Sequence, residues 1–287
     1  AILAAMVVVY RVVRPDYRWF AVAAGVLVGS SGPFACWALA GLEGPLFAFL
    51  VLLAAVLAGS AGDNAVRIAM AGLVAGLAAL TRPEGMLLGG ALFLWLVVFN
   101  PGGARKKSWL HPVVFAVVVG THLAWRYAFY GDILPNTFYA KMGLNSSLLT
   151  RGFSYVVSYA TDQGGVLVWL IPLAVAFVMK APAVVRACAF SGLVLACAII
   201  VEGGDGLPMY RFMVPVIPLW AVASGYLLAR LWEWISSFHS VNARRIGGAV
   251  LLGSWLTVAA CQVAVPELLN QYGMLTYQRD TEIPNWT

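Results

Sequence analysis

The sequence predicts an all-α membrane protein, a polytopic transmembrane helical bundle of about ten passes with no complete soluble domain. Of its 287 residues, 62% are apolar and 10% are charged, whereas soluble domains average about 45–50% apolar and about 25% charged residues. Long uncharged runs recur along the chain, and they are continuously apolar, which favours helices over the alternating strands of a membrane barrel. This pattern excludes an ordinary soluble enzyme and a disordered chain.

Each predicted helix corresponds to an uncharged run between two charged residues. Most runs are long enough for the roughly 17 to 25 residues that cross a bilayer, but 68–81 and 187–201 are shorter, so we expect these two to lie inside the bundle or to include interfacial residues. A partial apolar segment covers residues 1–13. The other runs lie between Arg18 and Glu43, Glu43 and Asp63, Arg67 and Arg82, Glu84 and Arg105, Lys107 and Arg126, Asp162 and Lys180, Arg186 and Glu202, Arg211 and Arg230, and Arg245 and Glu267.

The bundle is predicted to occupy residues 1–265. Residues 266–287 are polar, and we interpret them as an extracytoplasmic tail that is either a short terminal segment or the start of a soluble domain. Ala1 lies inside an apolar run without a methionine or a basic flank before it, which is typical of neither a native start nor a signal peptide. We therefore expect the chain to be a fragment.

Basic residues set the predicted orientation, because short loops rich in Lys and Arg stay on the cytoplasmic side. If the segment 11–18 is cytoplasmic and every run crosses once, 12 of the 18 basic residues face the cytoplasm and 9 of the 12 acidic residues face outward. The net charge of +6 is thus spread over turns, so we expect no nucleic-acid partner. The charged residues assigned to the cytoplasmic side are Arg11, Arg14, Asp16, Arg18, Asp63, Arg67, Arg105, Lys106, Lys107, Lys180, Arg186, Arg230, Glu233, Arg244 and Arg245.

Four outward connections hold the unusual residues, at 37–45, 81–85, 125–141 and 202–212. Each places a carboxylate at the end of a span, and three of the four add a cation. Charged groups at a membrane boundary are costly unless they are paired or functional, so a functional site is the first hypothesis. Each motif taken alone also has a structural explanation, such as a helix cap, a turn or an ion pair between Arg82 and Glu84.

The side chains of these loops form three chemical sets. Cations neutralise phosphate, carboxylates act as bases or as ligands of Mg²⁺, Mn²⁺ or Ca²⁺, and neutral polar and aromatic groups suit a sugar. A lipid-linked phosphosugar matches all three. The candidates are Arg82, Lys141 and Arg211 for the donor phosphate; Glu43, Glu84 and Asp132 for catalysis, with the general base unassigned; Glu202 and Asp205 for a divalent cation; and Asn136, Thr137, Tyr139 and Tyr210 for the sugar.

Residues 145–160 form a separate pattern. Apolar side chains recur there at helical spacing, with Ser, Thr and Arg between them. This predicts an amphipathic helix, which suits the outer leaflet of a membrane. Packing against the bundle explains the same pattern, so the sequence leaves both placements open.

The chain resembles bacterial GT-C-type glycosyltransferases, nearest to their arabinofuranosyltransferase-like branch. The resemblance rests on G-L-E-G-P-L-F at 41–47, T-R-P-E-G at 81–85, Y-G-D-I-L-P-N-T-F-Y-A-K at 130–141 and G-G-D-G-L-P-M-Y-R-F at 203–212. It implies a multi-pass enzyme of the bacterial plasma membrane whose active site faces outward. The donor would be a polyprenyl-phosphate sugar, and the acceptor a glycan, lipid or protein of the cell envelope.

The resemblance also has a gap. Enzymes of this type usually carry one or two acidic residues in a first outer loop, and no such loop precedes Ala1; we therefore expect a fragment that lacks it and is inactive alone. Two rival interpretations are a transporter or flippase of lipid-linked intermediates and a non-catalytic truncated homologue. The spans are nearly free of charge, which favours surface chemistry over passage through the bilayer.

Overall fold

The computed structural model describes residues 1–99, 104–133, 146–163, 165–207 and 209–263, and within these ranges every regular element is helical. The predicted tail 266–287 lies outside them. A π-helical turn, Ala174–Val178, directly follows the α-helix Leu167–Leu173. The α-helices are α1 Ile2–Val12, α2 Phe20–Gly29, α3 Gly32–Leu39, α4 Gly44–Gly59, α5 Ala65–Thr81, α6 Glu84–Val98, α7 Leu110–Tyr130, α8 Ser146–Asp162, α9 Leu167–Leu173, α10 Ala183–Val201, α11 Val216–Ser236 and α12 Val241–Val263.

The uncharged run 19–42 forms two helices instead of one straight span. The Ser31 hydroxyl accepts a hydrogen bond from the backbone N–H of Phe34 at 3.4 Å, which caps the start of α3. Pro33 in the first turn of α3 has no N–H, and none is needed there. The two helices meet at a bend of 63°, so a local capping sequence divides the predicted span.

Two helices of the described ranges, α7 and α10, are long and apolar enough to cross a membrane. The number rises to four if α2 with α3, and α8 with α9, each cross as one bent span. Helices α1, α4, α5 and α6 are apolar but only 11 to 17 residues long, against the roughly 20 residues that a bilayer requires. The all-helical class and its affinity for membranes are thus supported, and the predicted ten passes are not confirmed.

Helix α7 presents apolar side chains to its surroundings. Only 6% of its apolar window is buried inside the protein, and exposed residues along it include Val113, Val117 and Phe129. A continuous apolar surface of this kind is unfavourable in water and favourable in lipid. The exposed surface of α7 therefore supports membrane association independently of its length.

Glycines allow the helices to approach closely. A Cβ atom at Gly59 of α4 would lie 2.6 Å from the Cα of Val184 in α10, and one at Gly72 of α5 would overlap the backbone carbonyl of His111 in α7. Small residues at such positions let two helix backbones pack together. The core between these helices contains large buried side chains, including Phe47, Leu52, Ile68, Leu88, Leu92, Trp95 and Leu195.

Helix α8 coincides with the predicted amphipathic segment. Its buried face packs on α10, where a Cβ at Gly152 would overlap the carbonyl of Ile200. Its opposite face leaves Leu149, Phe153 and Val157 exposed at intervals of four residues. The helix thus packs on the bundle and keeps an apolar stripe exposed, so the two placements left open by the sequence are compatible.

Ion pairs join residues of the same predicted side. The described ranges contain six salt bridges, and none connects a residue assigned to the cytoplasmic side with one assigned to the outer side. Arg14 and Arg230 both pair with Glu233, and Lys107 pairs with Asp63. The remaining three pairs involve outward residues and lie together at one end of the bundle.

Candidate functional site

The candidate site is organised by the connection between α10 and α11, residues 202–215, which we call the α10–α11 loop. Gly203 and Gly204 have φ angles of 81° and 68°, a conformation that glycine adopts readily. Met209 and Tyr210 also have positive φ, 61° and 46°, although a residue with a Cβ loses roughly 1–2 kcal/mol there. Contacts around the loop therefore have to stabilise this backbone.

Two helices supply such contacts through hydrogen bonds to loop carbonyls. The indole Nε1 of Trp37 in α3 donates to the carbonyl of Met209 at 2.9 Å. The Nε of Arg151 in α8 donates to the carbonyl of Gly203 at 2.7 Å. The loop is thus fixed at both of its halves.

Tyr210 joins the loop to α8. Its hydroxyl donates to Asp162 Oδ2 at 2.6 Å, and its ring makes edge contacts with the rings of Tyr155 and Tyr159, with centroids 5.4 and 5.3 Å away. Tyr210 is only 4% exposed. In this conformation the Tyr210 hydroxyl, which the sequence predicted to bind the sugar, is hydrogen-bonded to Asp162 and stabilises the loop.

Arg82, at the end of α5, lies at the centre of a buried ion-pair network. Its guanidinium forms a salt bridge and hydrogen bonds with Glu84, and its Nη1 lies 3.2 Å from Glu43 Oε1. The side chains of Arg82 and Glu84 are each 8% exposed, whereas Glu43 is 39% exposed. Burial alone would lower the pKa of Arg82, but the hydrogen bond and charge of Glu84 and the charges of Glu43 and Glu202 raise it, so Arg82 stays charged.

Phe212 contacts both described cationic candidates, Arg82 and Arg211. The Cζ atom of Arg82 is 4.6 Å from the centroid of the Phe212 ring, and that of Arg211 is 5.1 Å from it. Both distances are within the range of cation–π attraction. Arg211 also pairs with Asp205, through Nη2 and Oδ1 at 3.1 Å and through Nε and Oδ2, which are 2.7 Å apart without a hydrogen-bonding angle.

The cluster combines acidic and basic side chains. Four carboxylates lie near two guanidinium groups, and Arg151, which donates to the carbonyl of Gly203, brings a third guanidinium to the same loop. An anionic ligand at this place competes with the carboxylates for these cations. The carboxylates are those of Glu43, Glu84, Glu202 and Asp205, and the guanidinium groups are those of Arg82 and Arg211.

The structure thus brings together six of the predicted site residues from three separate connections. Tyr210 belongs to the same loop as Arg211 but is directed to α8. Asp132 lies two residues beyond the end of α7 and is partly buried. The other four candidates, Asn136, Thr137, Tyr139 and Lys141, lie outside the described residues.

The metal prediction gains no support from the geometry. Within the described ranges no three His, Cys, Asp or Glu side chains are grouped to hold a metal ion, and both oxygens of Asp205 face Arg211. In this conformation Asp205 is thus engaged by Arg211, and we assign no chemistry to a metal ion. The involvement of Glu202 and Asp205 in metal binding stays a prediction.

Sequence reasoning missed the contribution of α8. Arg151, Tyr155, Tyr159 and Asp162 all contact the α10–α11 loop, directly or through Tyr210. Three of them follow one another at intervals of four residues, which places them on one face of a helix. That spacing was visible in the sequence, whereas the contact of Phe212 with two arginines had no sequence signal.

An apolar groove lies between α9, α11 and α12, and Tyr159 of α8 contributes to its wall. Its volume is about 240 Å³, and its lining includes Tyr159, Trp220 and Leu231. Gln163 also lines it and is fully buried, and its side-chain amide has no hydrogen-bond partner in the described part of the chain. A polar group therefore faces an apolar groove directly after Asp162 in the sequence.

The site is thus a cluster of ion pairs at one end of a helical bundle, next to an apolar groove. No protein-family model, curated protein or solved structure matches the chain.

Proposed function

We propose that the chain is part of a membrane glycosyltransferase that moves a sugar from a polyprenyl-phosphate donor to an extracytoplasmic acceptor such as a cell-envelope glycan. The proposal adopts the GT-C-like bundle of about ten passes in the plasma membrane. It rests mainly on Arg82 and Arg211, which come from separate loops, both lie within cation–π distance of Phe212, and are each paired with a carboxylate. Loops far apart in the sequence supply these groups together, as the prediction of a single site requires.

The donor phosphate is assigned to Arg211 and Lys141, and Arg82 is assigned a supporting role. Arg211 is 21% exposed, whereas Arg82 is 8% exposed and its guanidinium is engaged by two glutamates. Because carboxylates already engage both Arg82 and Arg211, a further cation strengthens the binding of a phosphate. Lys141 provides that charge in our proposal, from the motif that carries the resemblance.

The general base is assigned to Glu43. Of the two carboxylates that contact Arg82, it is the more exposed. Only its Oε1 atom is hydrogen-bonded to Arg82, so Oε2 is available to accept a proton from an acceptor hydroxyl. Glu84 is buried against the same arginine and holds its orientation.

The lipid chain of the donor is assigned to the groove between α9, α11 and α12. The groove is almost wholly apolar, and Tyr159 and Gln163 are among the residues that line it. Tyr159 also contacts Tyr210 of the α10–α11 loop. In the proposal, the lipid chain lies in this groove and its phosphate end extends past Tyr159 towards that loop.

The transfer then proceeds in one balanced step. Glu43 removes the proton of the acceptor hydroxyl, the acceptor oxygen bonds to the anomeric carbon, and the bond between that carbon and the phosphate oxygen breaks. The electron pair of that bond leaves with the polyprenyl phosphate. General-base assistance contributes typically about 10² to 10⁴-fold, and stabilising the charge on the leaving phosphate is usually the larger effect.

The test uses the full-length protein in membranes with radiolabelled polyprenyl-phosphate arabinofuranose, and a hexose donor as the alternative sugar. Transfer of label from the lipid to envelope material is measured. We expect Arg211→Gln and Lys141→Gln each to lower kcat/KM by about 10² to 10³-fold, the usual size of a lost charge-stabilising group. Glu43→Gln should lower it by about 10² to 10⁴-fold.

Lys107→Gln is the control, because Lys107 pairs with Asp63 at the opposite end of the bundle. It should leave transfer unchanged. The proposal fails if the wild-type protein transfers neither sugar, or if Arg82→Gln, Lys141→Gln and Arg211→Gln all retain full activity.

A further inference from the structure

A second and larger groove lies at the other end of the bundle, between α2, α11 and α12. Its volume is about 800 Å³, within the range of about 300–1,000 Å³ that is typical of small-molecule sites. Its walls are mainly apolar and include Trp19, Trp232 and Trp255. The rings of Trp19 and Trp232 are in edge contact, with centroids 5.9 Å apart.

The polar part of this groove is positively charged. Arg244 and Arg245 line it from the first turns of α12, and both are exposed. Neither forms a salt bridge within the described ranges. Glu233, the acidic residue at this end of α11, is already engaged by Arg14 and Arg230, so within the described ranges neither arginine of the groove has an acidic partner.

We propose that this groove binds an anionic phospholipid, with its phosphate on Arg244 and Arg245 and an acyl chain along the tryptophans. Arginine binds phosphate oxygens through two parallel hydrogen bonds, and the apolar walls match a hydrocarbon chain. Basic pockets between membrane helices on the cytoplasmic side are suited to anionic lipid headgroups. Arg244 and Arg245 belong to the set that sequence analysis assigns to that side.

The charge of the groove selects among possible occupants. A zwitterionic lipid would fill the apolar part but leave the positive charge of the arginines uncompensated. A soluble phosphate would compensate that charge but leave the apolar walls uncovered. An anionic lipid satisfies both parts. Its headgroup would lie at the end of the bundle opposite to the ion-pair cluster, and its groove shares Leu228, Leu251 and Trp255 with the groove assigned to the donor chain.

The experiment is native mass spectrometry of the full-length protein in detergent, titrated with dioleoylphosphatidylglycerol or with dioleoylphosphatidylcholine. The wild-type protein is expected to bind one phosphatidylglycerol about 10- to 30-fold more tightly than phosphatidylcholine. Each arginine near an anionic lipid contributes about 1 kcal/mol of attraction, and about 1.4 kcal/mol corresponds to a tenfold change in affinity. The double variant Arg244→Gln/Arg245→Gln should lose that preference. Arg244→Lys/Arg245→Lys should retain most of it, which shows that the fold tolerates substitution there.

Two further variants separate the groove from general charge effects. Arg105→Gln/Lys106→Gln removes two positive charges from the same predicted side but outside the groove, and it should leave binding unchanged. Ala249→Trp places an indole in the groove and should weaken the binding of both lipids.

Four results would overturn the proposal. One is equal affinity for the two lipids, and another is the same loss in the Arg105→Gln/Lys106→Gln control. A third is full competition by glycerol phosphate, which would identify a soluble-phosphate site. The fourth is a dimer that Ala249→Trp dissociates without any change in lipid binding, which would assign the groove to a second copy of the chain.

Discussion

Arg82 illustrates how a charged residue is accommodated in an apolar bundle. Its side chain and that of Glu84 are both 8% exposed, and charges are kept in such places only when they are paired and hydrogen-bonded. The partner stands two residues away in the sequence, so the pairing was among the structural explanations of T-R-P-E-G. The contact with Glu43, 39 residues away, depends on how α4 and α5 pack.

We expect Arg82→Gln to destabilise the protein by about 3–5 kcal/mol, because it leaves Glu84 buried without its partner. The double variant Arg82→Gln/Glu84→Gln should recover much of this loss, since no unpaired charge remains. Thermal unfolding in detergent measures both. Lys106→Gln, an exposed residue away from this network, is the control and should change the stability by less than about 0.5 kcal/mol. Additive losses in the double variant would show that the pair has no net coupling.

The contacts of Phe212 could not be predicted from the sequence. The sequence indicated Arg82 and Arg211 because cations at span ends are unusual, and both are indeed near one another. Nothing in the spacing indicated that one apolar ring, that of Phe212, contacts both of them. The pairing of Tyr210 with Asp162 was equally hidden, because it requires α8 to lie against the α10–α11 loop.

At the scale of elements, the charge-free runs predicted where helices lie but not how long each helix is. Runs such as 19–42 contain Ser, Gly and Pro in the middle, and these residues cap or start helices. The resulting α2 and α3 are therefore shorter than the run that contains them. Apolar composition determines which segments are buried or lipid-facing, whereas capping residues determine where each helix ends.

The packing of α8 on α10 depends on one glycine. Gly152→Ala is expected to cost about 1–3 kcal/mol, because its methyl group would overlap the carbonyl of Ile200 and overpacking has costs of this size. Gly120→Ala in α7 is the matched control, since a Cβ there meets nothing within 4 Å. Alanine should stabilise that helix by up to about 1 kcal/mol.

Hydrogen exchange of residues 146–162 distinguishes a local loss of α8 docking from a general loss of stability. Gly152→Ala should increase exchange in α8 without increasing it in α4 or α5, because only the docking of α8 is weakened. Equal stability and unchanged exchange in Gly152→Ala would contradict the close contact between α8 and α10.

At the scale of the whole molecule, the distribution of charge is consistent with one orientation of the bundle. All six ion pairs of the described ranges join residues of the same predicted side. The sequence supplied this division through the positive-inside rule, without any knowledge of which helices are neighbours. The number of passes was less predictable, because α1, α4, α5 and α6 are shorter than a full span.

Cysteine labelling in whole cells tests the orientation. We expect Gly206→Cys in the α10–α11 loop to react with a membrane-impermeant maleimide, and Asn242→Cys at the start of α12 to react only after permeabilisation. Both positions are exposed. Labelling of both from the same side would contradict the predicted topology. The background protein has alanine in place of Cys36, Cys188, Cys197 and Cys261.

The strained backbone of the α10–α11 loop has a consequence for movement at that end of the molecule. Residues held in sparsely populated conformations persist only while their surroundings over-determine them, and here the indole of Trp37, the guanidinium of Arg151 and the carboxylate of Asp162 do so together. Releasing the loop would break these contacts and relax Met209 and Tyr210 together. We therefore expect any opening of the loop to be cooperative, so that a ligand that displaces one of these contacts also weakens the others.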